Sequence, residues 1–494
     1  MAVAGSACSI LLLALVASVP ASPFLPELPP GVVPGGPFAW LARAIGLDGL
    51  HGGVLVGLGV VAAAAGAAAF LCILRECWRG RVSLRTVVLL AIVSHVVVLL
   101  VPVVFSRDVY SYIAYGRIAG MYDANPYVST PVQFPSDPIL TLVGHRWVDT
   151  PAVYGPLFTG LSSAITRAVR SIPALIVTFR VLAAAASLGT VALIAWTVRR
   201  ERPSRAAFAV AAFGSNPVIV FQSVGGGHND LLVALGIAGA FALLLAGRTL
   251  LAVAALALAT LVKASAAIPL LLLIVWVVSR RPPGTRSRAV LVHGGVAAGI
   301  AVLFALPFLQ TEDPSLGMVE LAGHEGWLAP SRLVRRFLDF VSLDTLGIVA
   351  RIGFGAALVV CVVALARRTA GSDSVHEGGS AWAWSLVVLM VLGPVLLPWY
   401  VAWSLPLVWL LPHVPRAVLI GTGVALALSQ WTTEPTRYPG AYDANVLIGH
   451  YVLTPLVLVA AVWLLLDLRR RIRDGRPLGP EDEQAQVSAA AGED

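Results

Sequence analysis

Asp108, Tyr112 and Tyr115 recur at i, i+4 and i+7 in FSRDVYSYIAYGRIAGMYDANPY, residues 105–127. On a helix continuing from the apolar run 86–104 they share one face. One carboxylate with two phenols at the end of a membrane helix can grip a sugar and take a proton from it. An interfacial aromatic belt beside a solvated Arg107–Asp108 ion pair is the other reading of the same residues.

The elements that must position these groups are membrane spans. Of 494 residues, 58% are hydrophobic and 12% charged, and the mean hydropathy is +0.85. Runs of roughly 18 or more apolar residues recur throughout, which marks an all-α polytopic membrane protein. The net charge of +8 does not suggest nucleic acid, because the arginines sit in short clusters between apolar runs, where they set topology. Cys8, Cys72, Cys77 and Cys361 lie in or beside apolar segments, so neither a disulfide framework nor metal-ligand spacing follows. Neither a metal nor a cofactor is expected.

With every strong basic cluster on the cytoplasmic side, about 14 spans result. They are 9–19, 52–73, 86–104, 172–198, 206–224, 231–246, 249–262, 264–278, 289–309, 347–366, 381–397, 399–411, 417–431 and 447–466. The run 9–19 has no basic leader, which favours a span over a cleaved signal. Residues 1–473 read as one integral-membrane module with two long extracytoplasmic loops, about 105–171 and about 310–346. Residues 152–169 are expected to lie in the outer interface. The polar tail 474–494 is expected to be a disordered cytoplasmic segment.

An ionisable group inside a bilayer costs roughly 2.5–3.5 kcal/mol on insertion scales, so each one needs a reason. Here they gather at the outer edge: Asp108, His145, Arg146, Asp149, the turn GGGHND (225–230), Lys263, His324 and Glu325. In GGGHND, Asn229 or Asp230 reads as a helix N-cap, or His228, Asn229 and Asp230 together read as a binding turn at a helix N-terminus. Lys263 is the only lysine; it is either a snorkelling interfacial side chain or a point charge for a lipid phosphate. Arg332, Arg335 and Arg336 at i, i+3 and i+4 share a helix face. They suit a phosphate-binding interfacial helix or an amphipathic helix touching anionic lipid. No Walker A, GxGxxG or HExxH motif is present, so an enzyme of this kind must take its donor from the membrane.

The blocks SRDVYSYIAYGRI…NPY, DTPAVYGPLF, SNPVIVFQSVGGGHNDLLVALG and LVKASAAIPLLL, with a looser GPVLLPWYVAW, together resemble the polyprenol-phosphomannose-dependent α-1,6-mannosyltransferases of actinobacteria. Those are GT-C glycosyltransferases that build the mannan backbone of lipomannan and lipoarabinomannan. The resemblance implies a GT-C fold in the plasma membrane, a polyprenyl-phosphate mannose donor and a lipid-anchored mannan acceptor, with membrane lipid around it. It implies Asp108 as general base, with inversion at the anomeric carbon on the extracytoplasmic face. Lys263 or the loop arginines Arg332, Arg335 and Arg336 would meet the phosphate. Tyr112, Tyr115, Tyr154, His145, His228, Asn229, Asp230 and His324 would contact sugars. A GT-C transferase using another polyprenyl-phosphate sugar, and a lipid-linked glycan transporter or flippase, are the competing readings. A transporter should show inverted repeats and polar groups at mid-membrane depth.

Overall fold

In the computed structural model, residues 2–26, 35–310, 312, 315–318, 326, 328–340, 345–432 and 436–480 are described. His324 and Glu325 lie outside them, as does the tail from 481 onward. The described residues are helical, as a lipid solvent requires: a helix satisfies its own backbone polar groups where no water can. The α-helices are α1 (Ala2–Ala17), α2 (Pro37–Ala44), α3 (Gly52–Trp78), α4 (Leu84–Leu99), α5 (Asp108–Met121), α6 (Pro156–Ala168) and α7 (Ile172–Glu201). Next come α8 (Ala206–Gly214), α9 (Asp230–Leu245), α10 (Thr249–Thr260), α11 (Ala267–Ser279), α12 (Arg286–Ala305) and α13 (Pro330–Phe340). The chain ends with α14 (Thr345–Ala370), α15 (Val375–Leu392), α16 (Val401–Ser404), α17 (His413–Ala427), α18 (Pro439–Ile448) and α19 (Thr454–Arg473).

Seven helical stretches among the described residues are long and apolar enough to cross a membrane. Six shorter apolar helices accompany them. Their burial sorts them into layers. The stretch 203–224 is 89% buried and 375–392 is 83% buried, so both run through the centre. The stretches 283–308 and 346–370 are only 11% buried. An apolar surface of that extent is stable only against lipid, so the chain is a polytopic membrane protein.

The basic loops meet at one end. The Arg205 guanidinium sits 3.6 Å and that of Arg416 4.4 Å from the Trp78 ring centroid. Arg280 donates to the Ser372 carbonyl, and Arg368 to those of Gly475 and Arg476. This gathering of arginine-rich loops agrees with the positive-inside reading of the sequence.

Two expectations are corrected, over 86–104 and 399–411, and the expected span 206–224 stands within the crossing stretch 203–224 with a break in its bonding. The helix over 86–104 stops at Leu99 instead of continuing into Asp108. Phe105 then turns with a left-handed φ of 65°, held by a hydrogen bond from its N–H to the Phe24 carbonyl. Arg180 on α7 closes the broken end by donating to the carbonyls of Val98 and Val101, 2.6 and 2.8 Å away. The expected span 206–224 changes at Ser215–Pro217 from α8 into a π-helix, Val218–Val224. Pro217 lacks the N–H that α-helical bonding needs. The expected span 399–411 is a chain of short pieces around α16, all buried, with Pro398 and Pro406 as breaks.

Outside the spans, α5 lies along α6. Gly116 and Gly120 allow it: a Cβ on Gly116 would stand 2.6 Å from the Ser162 carbonyl oxygen, and one on Gly120 2.7 Å from that of Ser163. Gly116→Ala should therefore cost about 1–3 kcal/mol by overpacking. Thermal unfolding in detergent checks this; an unchanged midpoint would show that α6 can withdraw freely. The loop beyond α5 is pinned by Arg117, which donates from Nε to both oxygens of Asp137 at 3.0 and 2.8 Å, with both side chains buried. Tyr122 adds a third bond to the same carboxylate.

Candidate active site

The break before α5 places Asp108 in the first turn of a new helix. Its backbone N–H is bonded by Ser106 Oγ at 3.1 Å. The carboxylate is half-buried, with 22% of its side chain exposed, and is not the open interfacial charge the sequence suggested. Its Oδ2 lies 3.3 Å from Nδ1 of fully buried His228. Burial pushes the Asp108 carboxyl up, but the contact and charge of His228, the charge of Lys263 and the Ser106 hydroxyl outweigh it. The net shift is below the ordinary carboxylate value, so Asp108 is ionised at neutral pH.

His228 reaches this position because the chain turns sharply at Gly227, whose φ is 72°, a left-handed value that glycine adopts without strain. The imidazole stacks on Trp399, centroids 3.6 Å apart and planes 21° apart. Asn229 occupies the N-cap position of α9, but its side chain does not cap the helix. Its Oδ1 instead accepts from the Tyr112 hydroxyl at 3.4 Å. Tyr112 packs edge-on against Tyr154 and Phe158, each at 4.8 Å between centroids. Burial, then the Asp108 carboxylate, push the Tyr112 and Tyr154 phenols well up, so both stay protonated and can donate.

Lys263 differs from expectation. Its ammonium donates to both oxygens of fully buried Asp230, at 2.8 and 3.0 Å, and does not stand open to a lipid headgroup. Trp403 Nε1 donates to the same carboxylate at 2.7 Å. The ammonium also lies 4.8 Å from the Tyr400 ring centroid and 5.5 Å from that of Trp403. A carboxylate with no exposure needs such partners, and Lys263 is the counter-ion. The backbone N–H groups of Gly155 and Leu157 bind the carbonyls of Val262 and Leu261, tying the YGPLF block to the turn before Lys263.

Asp108, Tyr112, Tyr154, His228, Asn229, Asp230 and Lys263 thus form one cluster. Tyr115 adjoins it one turn along α5, 6.1 Å from Tyr154, with its hydroxyl on the Thr150 carbonyl. His145 is exposed on a 3-10 turn of the loop between α5 and α6. Arg332, Arg335 and Arg336 lie on α13. Sequence reasoning missed Trp399, Tyr400, Trp403 and Arg180. The PWYVAW aromatics in an aliphatic run were the available signal for the first three; an arginine inside an apolar run was the signal for Arg180. Asn229 Nδ2, Trp399 Nε1 and both ring nitrogens of His228 are buried with no hydrogen-bond partner among the described residues, His228 Nδ1 having only its 3.3 Å contact with Asp108. Buried polar groups are normally paired, so these orphans in one cluster point to a polar ligand. No group of three His, Cys, Asp or Glu side chains able to hold a metal is found among the described residues.

Residues 3–280 match the family described as alpha-(1->6)-mannopyranosyltransferase, N-terminal domain. The chain belongs to this family. The matched stretch contains every member of the cluster except the aromatics at 399–403. The chain is 28% identical over 382 residues to alpha-(1->6)-mannopyranosyltransferase A of Mycobacterium tuberculosis, covering 74% of this chain and 71% of that protein. It is 32% identical over 189 residues to alpha-(1->6)-mannopyranosyltransferase A of Corynebacterium glutamicum, covering 36% and 37%. As a mannopyranosyltransferase-family member, the chain is a glycosyltransferase in a membrane.

Proposed function

We propose that this chain transfers mannose from polyprenyl-phosphate mannose to a lipid-anchored α-1,6-mannan, with inversion, on the extracytoplasmic face of the plasma membrane. We read it as a GT-C module over 1–473 with about 14 spans, counting short and broken helices. The observation that carries this is an ionised Asp108 held against His228 at the bundle end opposite the arginine loops.

In this reading a carboxylate oxygen of Asp108 takes the proton of the acceptor's 6-hydroxyl as its oxygen attacks the anomeric carbon. The bond from that carbon to the phosphate oxygen breaks, and the electron pair leaves with polyprenyl phosphate. His228, fixed by Trp399, holds the Asp108 carboxylate in position. Tyr112, Tyr154, Asn229 and Trp399 supply donors for sugar hydroxyls, and Tyr115 lines the approach. Asp230, Lys263 and Trp403 brace the turn that carries His228.

Membranes containing the chain should move labelled mannose from polyprenyl-phosphate mannose into a short α-1,6-mannan. A nucleotide-sugar donor should give none, and a polyprenyl-phosphate arabinose donor far less. Equal use of the arabinose donor would favour the other GT-C reading. The pH profile gives a second check. With the Asp108 carboxyl below its ordinary value, the acid limb of the rate lies below the ordinary carboxylate range. His228→Ala removes the contact and charge that lower it, burial then dominates, and the limb moves upward. An unmoved limb would show that His228 does not act through Asp108.

A further inference from the structure

α6 carries a glycine that its packing does not require. Gly116 and Gly120 of α5 are held small by the backbone of α6, but a Cβ on Gly160 would find its nearest heavy atom, a ring carbon of Phe308, 4.0 Å away. Its backbone is not left-handed either. Glycine inside a helix is destabilising relative to alanine, so the bare position has a reason other than the fold. What the missing side chain leaves is a cavity of about 380 Å³ between α5, α6 and the outer end of α12. That volume lies in the range of small-ligand sites. Phe304 and Phe308 form an apolar wall, and Asp123, Ser163, Arg167 and Gln310 supply polar groups. The polar wall is braced. Arg167 Nη2 donates to the Ala119 carbonyl at 3.2 Å and to Asp123 Oδ1 at 3.0 Å. Asn125 Nδ2 donates to the carbonyls of Phe308 and Gln310, both at 3.2 Å, which ties the end of α12 to the turn after α5.

Position decides what the cavity can hold. α12 starts at Arg286 in a basic loop, and Phe308 follows twenty-two residues later on the same helical stretch. At 1.5 Å per residue that is about 33 Å, so the cavity lies at the outer rim of the bilayer. Leu303, Leu306 and Leu309 beside it are more than half exposed, as side chains facing lipid are. Ala119, on the cavity wall, stands eleven residues after Asp108 on α5, about 16 Å along the helix. That is too far for the sugar that reacts at Asp108, and within reach of the same glycan further along. Tyr127 stands between the two sites. It packs edge-on against Phe308, centroids 5.3 Å apart, and its hydroxyl donates to the Tyr154 carbonyl at 2.6 Å.

We propose that this cavity is a remote glycan subsite, which binds one hexopyranose of the acceptor several units away from the hydroxyl that reacts at Asp108. The hydroxyls of a sugar match a wall that offers carboxylate, amide, hydroxyl and guanidinium together, and its C–H faces match the two phenylalanine rings. A phosphate headgroup suits the wall poorly, because Asp123 already answers the Arg167 charge. The subsite makes acceptor affinity depend on length: a glycan too short to reach from Asp108 to Gly160 forgoes the second contact. The assignment rests on the transfer reading only in making the hexose part of the acceptor.

The test is equilibrium binding of fluorescently labelled α-1,6-mannobiose and α-1,6-mannohexaose to the full chain in phosphatidylcholine nanodiscs, with no donor present. The hexaose should bind the wild type roughly tenfold more tightly than the biose. Gly160→Leu fills the cavity from a helical position with room for its Cβ, and should bring the hexaose down to the affinity of the biose. Asp123→Asn with Gln310→Ala alters exposed side chains only, and asparagine tolerates the left-handed φ of 49° at position 123. That double variant should erase most of the difference. Equal affinities in the wild type, or the wild-type ratio in folded Gly160→Leu, would overturn the proposal; if Gly160→Leu does not fold, the wild-type ratio in the double variant would do so. Loss of co-purifying phospholipid from Gly160→Leu with the ratio unchanged would reveal a lipid site and overturn it as well. A chain that shows the length dependence but transfers no mannose would sink the transfer reading and leave this subsite standing, and transfer with equal affinities would do the reverse.

Discussion

Asp108→Asn should lower mannosyl transfer roughly 10²- to 10⁴-fold, the usual loss when a general base is removed. Asparagine keeps the size of the side chain and can still meet His228 Nδ1, 3.3 Å away, but it cannot take up a proton from the acceptor. The surroundings should tolerate it. Asp108 is half-buried in the first turn of α5, and its helix is anchored elsewhere by the Arg117–Asp137 pair and the α6 contact. Protein amount in the membrane and the unfolding midpoint should match wild type, while initial rates at saturating donor and acceptor fall. Near wild-type transfer would remove Asp108 from the chemistry. Loss of protein would instead make it a structural ion-pair partner of His228.

Lys263→Ala should act on stability first. It leaves the Asp230 carboxylate fully buried with the Trp403 indole N–H still donating to it, and stranding a buried charge costs about 3–5 kcal/mol. The unfolding midpoint should drop steeply, and transfer should be lost with it because α9 begins at Asp230 and carries His228 just before. Lys263→Met with Asp230→Asn removes both charges, so most of the midpoint should return while transfer stays low. This pair separates a brace from a ligand. If Lys263→Ala unfolds like wild type and only donor affinity falls, the ammonium is the phosphate's cation and Asp230 its idle neighbour.

Much of the membrane organisation is legible in the sequence because it rests on long apolar runs and short arginine clusters, both local signals. The breaks are less so. Pro102, three residues beyond Leu99, is a local sign that helix bonding ends there, but how the broken end is closed depends on Phe24 accepting from Phe105 and on Arg180 arriving from α7. The catalytic candidates were readable as isolated polar groups at one edge: Asp108, the GGGHND turn, Tyr154 and Lys263. Their pairing was not. That Lys263 answers Asp230 and not a lipid follows from two turns, 33 residues apart, meeting across α9 and α10. Trp399 and Trp403 were hidden because the 399–411 run has the composition of a span, whereas its prolines fold it into short buried helices beside His228.

The most direct measurement is single-turnover transfer by the purified chain in nanodiscs, with polyprenyl-phosphate mannose as donor and an α-1,6-linked mannan oligosaccharide as acceptor. Product linkage and anomeric configuration are read by NMR. The account expects one new α-1,6 mannose per turnover from the β-linked donor, and no detectable product from Asp108→Asn on the same timescale. Retention of the donor's configuration, or equal product from Asp108→Asn, would contradict it.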